Sequence, residues 1–177
     1  MPTKKNSSKT LLANVLVSLL HKKSFQKISV NELCESANIS RTAFYSNFED
    51  KYQLLAYCIN IKTEELNVLM EQHSPQEFLS IMLDYIQKED RFFYNAFGSD
   101  LVDERGEILY QFFNQQITKI LKEKSAQGIP LSGPIDVISS FYIGGLTSMV
   151  LRWIMSNYKL PKSELAACQY RLLKELF

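Results

Sequence analysis

The sequence is short of the residues that break helices. Of 177 residues only six are glycine and five proline. A chain of many short strands and tight turns needs more of both, so long helices are expected. Cysteine is scarce too: Cys34, Cys58 and Cys168 stand far apart, with no C-x-x-C pair. With only His21 and His73 beside them there is no zinc-ligand spacing, and no metal is expected. An odd, sparse set of cysteines reads as buried reduced thiols in a cytoplasmic protein. The chain has no phosphate-binding glycine loop and no nucleophile motif, which excludes the commonest enzyme signatures and any expected cofactor. Long apolar runs are also missing. The start, MPTKKNSSK, is polar and basic, unlike a signal peptide, and residues 1–8 read as a mobile arm. The most apolar stretch, Phe141 to Met155, carries Arg152 and reads as too short to span a bilayer.

What is present is apolar residues, at 46% of the chain, enough to bury a core. The net charge of +1 hides a segregation. Residues 1–60 carry eight Lys and Arg against four acids, and the rest carries twelve against fifteen. A basic head on an acidic body suits a polyanion at one end.

The pattern along the chain predicts an all-α fold of about nine helices. From Lys9 to Lys23 apolar residues fall at 11, 12, 15, 16, 19 and 20, a helix stripe. Ser29-Val-Asn-Glu32 has the form of a capping box, in which each side chain bonds the other's backbone N–H. The helix it opens turns Val30, Leu33, Cys34 and Ala37 inward and ends at Asn38, a residue that tolerates positive φ. Ser40 caps the next helix, from Arg41 to about Asn47, and Asp50 caps a long one from Lys51. Ser74-Pro75-Gln76-Glu77 signals a further start. Beyond it lie an aromatic-rich short helix from Asp90 closed by Gly98, a long helix ending before Gly128, an apolar one after Pro134, and a last one from Lys162.

Two short helices separated only by Asn38 to Ser40 have the geometry that presents the second to a DNA major groove. In RTAFYSN and the residue after it, Phe44 and Phe48 lie one turn apart and are expected to pack on Leu11, Val15 and Leu33, leaving Arg41, Thr42, Tyr45 and Ser46 outward.

These residues also carry a resemblance. The run SFQKISVNELCESANISRTAFYSNFEDKYQLL is similar to the DNA-binding domain of the TetR family of transcriptional regulators, over residues 9–58. Ser29 stands at the capped start of helix two, Ala37-Asn-Ile-Ser40 at the turn, Tyr45-Ser-Asn-Phe48 at the aromatic signature, and Lys51 with Leu54-Leu55 at the start of helix four. Ser24 and Asn38 replace usual glycines, and Thr42-Ala43 departs on the base-reading surface. The resemblance implies a regulator, a repressor, that binds palindromic double-stranded operator DNA as a homodimer. Its DNA contacts would be Ser29, Ser40, Arg41, Thr42, Tyr45, Ser46, Asn47 and Lys51, with Tyr45 and Lys51 on phosphates.

The division implied is a DNA-binding domain over 1–52 and a C-terminal domain for dimerisation and effector binding over 53–177. FYIGGLTSMVLRW, from Phe141 to Trp153, resembles the family's dimer helix. Ile143, Gly144, Leu146, Val150 and Ile154, with Leu165, Leu172 and Leu176 of the last helix, are the expected interface. Phe93, Phe97, Tyr110, Phe113 and Tyr142 are read either as walls of an effector cavity or as packed core. The C-terminal half also resembles regulators of dihydroxyacetone kinase operons, which leaves a protein partner open beside a small-molecule effector. The alternative function is a helical protein-interaction module or coactivator.

Overall fold

The computed structural model of the protein describes the backbone of residues 4–73, 77–97 and 104–173, and within these the side chains of 8–73, 77–97 and 109–172. Ser74-Pro75-Gln76, Gly98 and Leu176, singled out above, lie outside the described residues. Among the described residues there is no strand, and the architecture is all-α. The helices are α1 (Lys4–Leu20), α2 (Val30–Ala37), α3 (Arg41–Tyr45), α4 (Lys51–Glu71), α5 (Phe78–Lys88), α6 (Asp90–Phe97), α7 (Glu104–Ala126), α8 (Ile135–Met155) and α9 (Lys162–Leu173). A 3-10 turn, Phe25–Lys27, precedes α2.

Helix α1 starts at Lys4, so the expected mobile arm is helical from that residue on. Its buried stripe is Leu12, Ala13, Leu16 and Leu20. Leu11, expected to support Phe44 and Phe48, is 41% exposed. The stripe at 3.6-residue spacing is narrower than the run of apolar residues, and Leu11 falls off its edge. Phe25, Ile28, Leu33, Phe44 and Phe48 complete the core of the head. Helix α4 belongs to both halves: Leu54, Leu55, Cys58 and Ile59 are buried within it, and its far end reaches α5 and α7. The Cys58 thiol donates to the carbonyl of Ala13 at 3.7 Å. Burial pushes that thiol up to about 12, so it stays protonated at neutral pH.

In the body, α7 and α8 pack along their lengths. Phe112, Phe113, Ile117 and Leu121 of α7 and Ile143, Leu146, Val150 and Ile154 of α8 are all buried. Helix α8 starts directly after Pro134 and is longer than its most apolar stretch, Phe141 to Met155. It has 21 residues and, among the described residues, is the one helix long and apolar enough to cross a membrane by length and composition. One of its faces instead supplies core to the body.

The dimer reading needs correction at the level of residues. Ile143, Leu146, Val150, Ile154 and Leu165 are at most 3% exposed within a single chain, so they are core of that chain rather than an open face. The outward face of α8 carries Val137 (61% exposed), Phe141 (77%), Gly144 and Ser148, at the 4-3-4 spacing of a packing seam. A Cβ at Gly144 or Gly145 would meet nothing within 4 Å. On α9, Tyr170 and Leu172 are exposed.

Head and body meet in a polar seam. The Lys62 ammonium lies 3.3 Å from Glu65 and 3.6 Å from Glu89, and His21 at the end of α1 lies 3.7 Å from Glu89. Tyr85 donates to Glu65 at 2.6 Å, and Asn95 of α6 donates to the carbonyl of Leu20 at 2.7 Å. The end of α8 is fixed separately. Asn157 and Tyr158 take positive φ, Trp153 donates to the carbonyl of Leu160, and the Tyr158 hydroxyl reaches the carbonyl of Asp90 at 2.9 Å.

Candidate nucleic-acid interface

The interface is assembled by three caps and one left-handed residue. Ser29 accepts from the N–H of Glu32 at 3.2 Å, Ser40 from Ala43 at 3.1 Å, and Asp50 from Gln53 at 2.8 Å. Each satisfies a donor that a helix start leaves open. Only half of the capping box forms. The Glu32 carboxylate, expected to return to Ser29, instead takes the Lys23 ammonium at 2.6 and 2.7 Å. A charged partner within reach outbids a backbone N–H.

Asn38 adopts φ 50°, ψ 48°, and its N–H bonds back to Cys34 and Glu35. Ile39 then bonds the carbonyl of Cys34 at 3.0 Å, closing the turn. This swings α3 across α2. Phe44 (0% exposed) and Phe48 (3%) anchor it to the core, their rings 6.1 Å apart. With those two inside, helical geometry forces Arg41, Thr42, Tyr45 and Ser46 outward, and all four are exposed. The Arg41 guanidinium lies 5.8 Å from the centre of the Tyr45 ring and 3.4 Å from its hydroxyl. That contact holds both side chains on one exposed face.

Cys34 sits beneath this face. Burial raises its thiol, and the positive Arg41 nearby opposes the shift. Beside Tyr45 runs a groove of about 430 Å³ lined by Gln26, Lys27, Ser29, Glu49, Lys51 and Tyr52 among others. Lys27 and Tyr52 were not singled out from the sequence. Both are exposed at this groove, and a basic and an aromatic residue flanking the turn were the available signal.

Two expected contacts are placed differently. Asn47 is half-buried and donates to the carbonyl of Ala43 at 2.7 Å, so its amide lies against its own helix. Lys51 is turned inward. Its ammonium donates to the carbonyls of Phe25 (3.2 Å), Gln26 (3.4 Å) and Ile28 (2.8 Å), and it stands 4.6 Å from the centre of the Phe25 ring. An ammonium has three donors, and three carbonyls take them. Burial lowers its pKa. The phosphate contact expected of Lys51 is not supported by this placement.

In the body, none of the five aromatics expected around a cavity lines the cleft found between α4, α5 and α7. Phe93, Phe97 and Phe113 are buried, and Tyr110 and Tyr142 are packed against the core. Phe93 stacks on Phe97 with centroids 6.3 Å apart. The cleft, about 400 Å³, lies instead between the far end of α4, the start of α5 and the later half of α7. Asn67, Met70, Glu71, His73, Phe78, Ile81, Gln115, Gln116, Lys119, Ile120 and Glu123 line it. Gln116 donates to Asn67 at 2.8 Å across it.

Comparison with known proteins gives two family matches. Residues 14–58 match the family "Bacterial regulatory proteins, tetR family", and residues 73–175 match "Transcriptional regulator C-terminal region". No curated protein sequence matches the chain. Solved structures share the fold across nearly its full length. The dihydroxyacetone kinase operon activator DhaS superposes with a TM-score of 0.62 at 18% identity, covering 94% of this chain and 96% of that one. The repressor FadR of Thermus thermophilus, in complex with lauroyl-CoA, gives 0.67 at 19% identity, covering 94% and 93%. RolR in complex with resorcinol gives 0.72 at 19% identity, covering 97% and 90%. A capped helix-turn-helix that exposes one polar face, a helical body and family matches to both parts lead to one conclusion: the protein belongs to the TetR family of transcriptional regulators.

Proposed function

We propose that the protein represses transcription by binding a palindromic operator as a homodimer, with α3 of each copy in the major groove. The observation that carries this is the division of α3 and the turn after it into a buried pair, Phe44 and Phe48, and an exposed set, Arg41, Thr42 and Tyr45. Arg41 donates to a guanine edge or a phosphate, Thr42 meets a thymine methyl or a phosphate, and Tyr45 with Ser29 and Ser40 contacts the backbone. Ser46 lies beside them, its hydroxyl donating to the carbonyl of Thr42 at 2.8 Å while its lone pairs remain for a donor.

The dimer forms through the outward stripe of α8, Val137, Phe141, Gly144 and Ser148, joined by Tyr170 and Leu172 of α9. The glycines support this. Each costs a helix roughly 1 kcal/mol relative to alanine. Among the described residues nothing lies near enough to require them, whereas close approach of a second α8 does. Two copies then present recognition helices about 34–36 Å apart, one helical turn of DNA.

The effector seats in the cleft between α4, α5 and α7, whose size suits a small molecule. Two structures of the same fold carry ligands, lauroyl-CoA and resorcinol. A ligand that binds one position of α4 better than another shifts the spacing of the heads. A protein partner in place of a ligand is the second reading, favoured by the packing of the aromatic residues into core.

The test is operator affinity against salt, with the operator found by selection from random duplexes. A steep linear fall of log K with log salt is expected. Affinity indifferent to salt, or a persistent monomer in sedimentation at micromolar concentration, overturns the proposal.

A further inference from the structure

Lys51 is the first residue of α4, yet its ammonium is spent on a segment 23 to 26 residues earlier in the chain. The three carbonyls it binds, Phe25, Gln26 and Ile28, belong to the 3-10 turn and the residue leading into the α2 cap. Of the three, Phe25 also accepts from the N–H of Ile28 at 3.0 Å. The ammonium itself stands 4.6 Å from the centre of the Phe25 ring and 5.8 Å from that of Tyr52, two rings that meet edge to face at 5.2 Å. The placement is therefore doubly held at the tip, by charge-assisted hydrogen bonds to carbonyls and by the faces of two aromatic rings.

We infer that Lys51 is a positioning residue that ties the turn before α2 to the first turn of α4, so that α2 and α3 follow α4 as one body. This rests on the DNA-binding reading of the head, but the tie itself is a property of the free protein. Helix α4 has 21 residues, a length of about 30 Å. Its far end contributes Asn67, Met70 and Glu71 to the cleft. A displacement set there reaches the recognition helix through apolar packing, of Leu54, Leu55 and Cys58 in the core and of Tyr57 on Phe48 at 5.6 Å and Tyr52 on Phe25, and through the Lys51 tie. Of these, the tie is the directional one. A hydrophobic contact lets helices slide, whereas three hydrogen bonds to fixed carbonyls resist sliding.

A positioning role and a phosphate contact differ in how binding responds to salt. Removing an ammonium from a phosphate lowers the slope of log K against log salt by about 1. Removing one that only positions leaves the slope unchanged. In Lys51→Met, which keeps the stem, operator affinity is expected to fall at least tenfold at every salt concentration with the wild-type slope. Amides of Ile28 and Leu33, bonded to the carbonyls of Phe25 and Ser29, should exchange with solvent faster in the variant, while those of α7 and α8 do not change. Lys51→Arg, which restores donors for the carbonyls, should recover the Ile28 and Leu33 protection. In the wild-type protein without DNA, the ammonium nitrogen-15 signal of Lys51 should be protected from exchange with water and should not move when operator is added.

The inference fails if the slope drops by about 1 in Lys51→Met while the Ile28 and Leu33 amides keep their protection. It also fails if the Lys51 signal is protected only once DNA is present. Should Lys51→Met not fold, the wild-type ammonium signal decides alone. Loss of DNA binding by the wild-type protein would sink the regulatory reading and leave the tie testable by that signal.

Discussion

The head and the body of this protein are built by different rules. In the head, α2, α3 and α4 each begin at a side chain that accepts a backbone N–H, and one left-handed asparagine sets the angle between two of them. These are local devices, written within four residues of where they act. In the body, α8 follows Pro134 and has no side-chain cap bond. Its position is set by which face meets α7, a matter decided by residues some thirty positions away. Local order makes the head a small frame whose outer face is free to read DNA. Non-local order makes the body tolerant of different apolar contents.

The sharpest way to break this comparison is to remove one anchor from each half. Phe44→Ala and Phe113→Ala, both at positions with 0% exposure, should each destabilise the fold by about 3–5 kcal/mol in chemical denaturation. A much smaller loss at Phe113 would mean that the aromatic body is a loose cavity after all. Next in size, Phe141→Glu should leave the single chain folded, since the side chain is 77% exposed, yet dissociate the dimer by 2 kcal/mol or more in sedimentation. If Phe141→Glu stays dimeric, the α8 stripe is not the interface.

Arg41→Ala should cost about 1–3 kcal/mol of operator affinity and leave the melting temperature unchanged. A shift in melting temperature would make Arg41 part of the frame. Ser40→Ala should cost about 1 kcal/mol of stability through the lost cap. The smallest effect at neutral pH belongs to Tyr85 in the seam. Burial, and then its bond to Glu65, raise its pKa. The unfolded chain releases that proton near pH ~10 and the folded one holds it. Its contribution is therefore complete below about pH 10 and is lost as pH rises further. Melting curves from pH 8 to 11 should fall more steeply for the wild type than for Tyr85→Phe.

How much the sequence discloses follows the same line. The caps at Ser29, Ser40 and Asp50, the positive φ at Asn38 and the inward Phe44 and Phe48 were all legible, because each depends on neighbours in the chain. Lys51 was not. Its position at the start of α4 and the resemblance suggested a phosphate, and only folding brings the carbonyls of Phe25 and Ile28 to its tip. On α8 the sequence marks Ile143 and Phe141 alike as apolar, and no local rule separates the buried one from the exposed one. The aromatic residues of α6 and α7 posed the same problem, since core and cavity walls draw on the same residue types. The cleft was missed because its lining mixes amide, charged and apolar residues from three helices, with no pattern along any one of them.

The turn at Asn38 has a consequence for how such a regulator changes over time. The frame of the head resides in Asn38, Phe44 and Phe48, while Arg41 and Thr42 lie on its outside, in a helix of five residues. Exposed positions accept substitution at little expense to folding. On the function proposed above, one or two replacements there would redirect the protein to another promoter while the body kept answering the same effector. On that reading, a lineage built on this plan would acquire new target genes without inventing a new sensor.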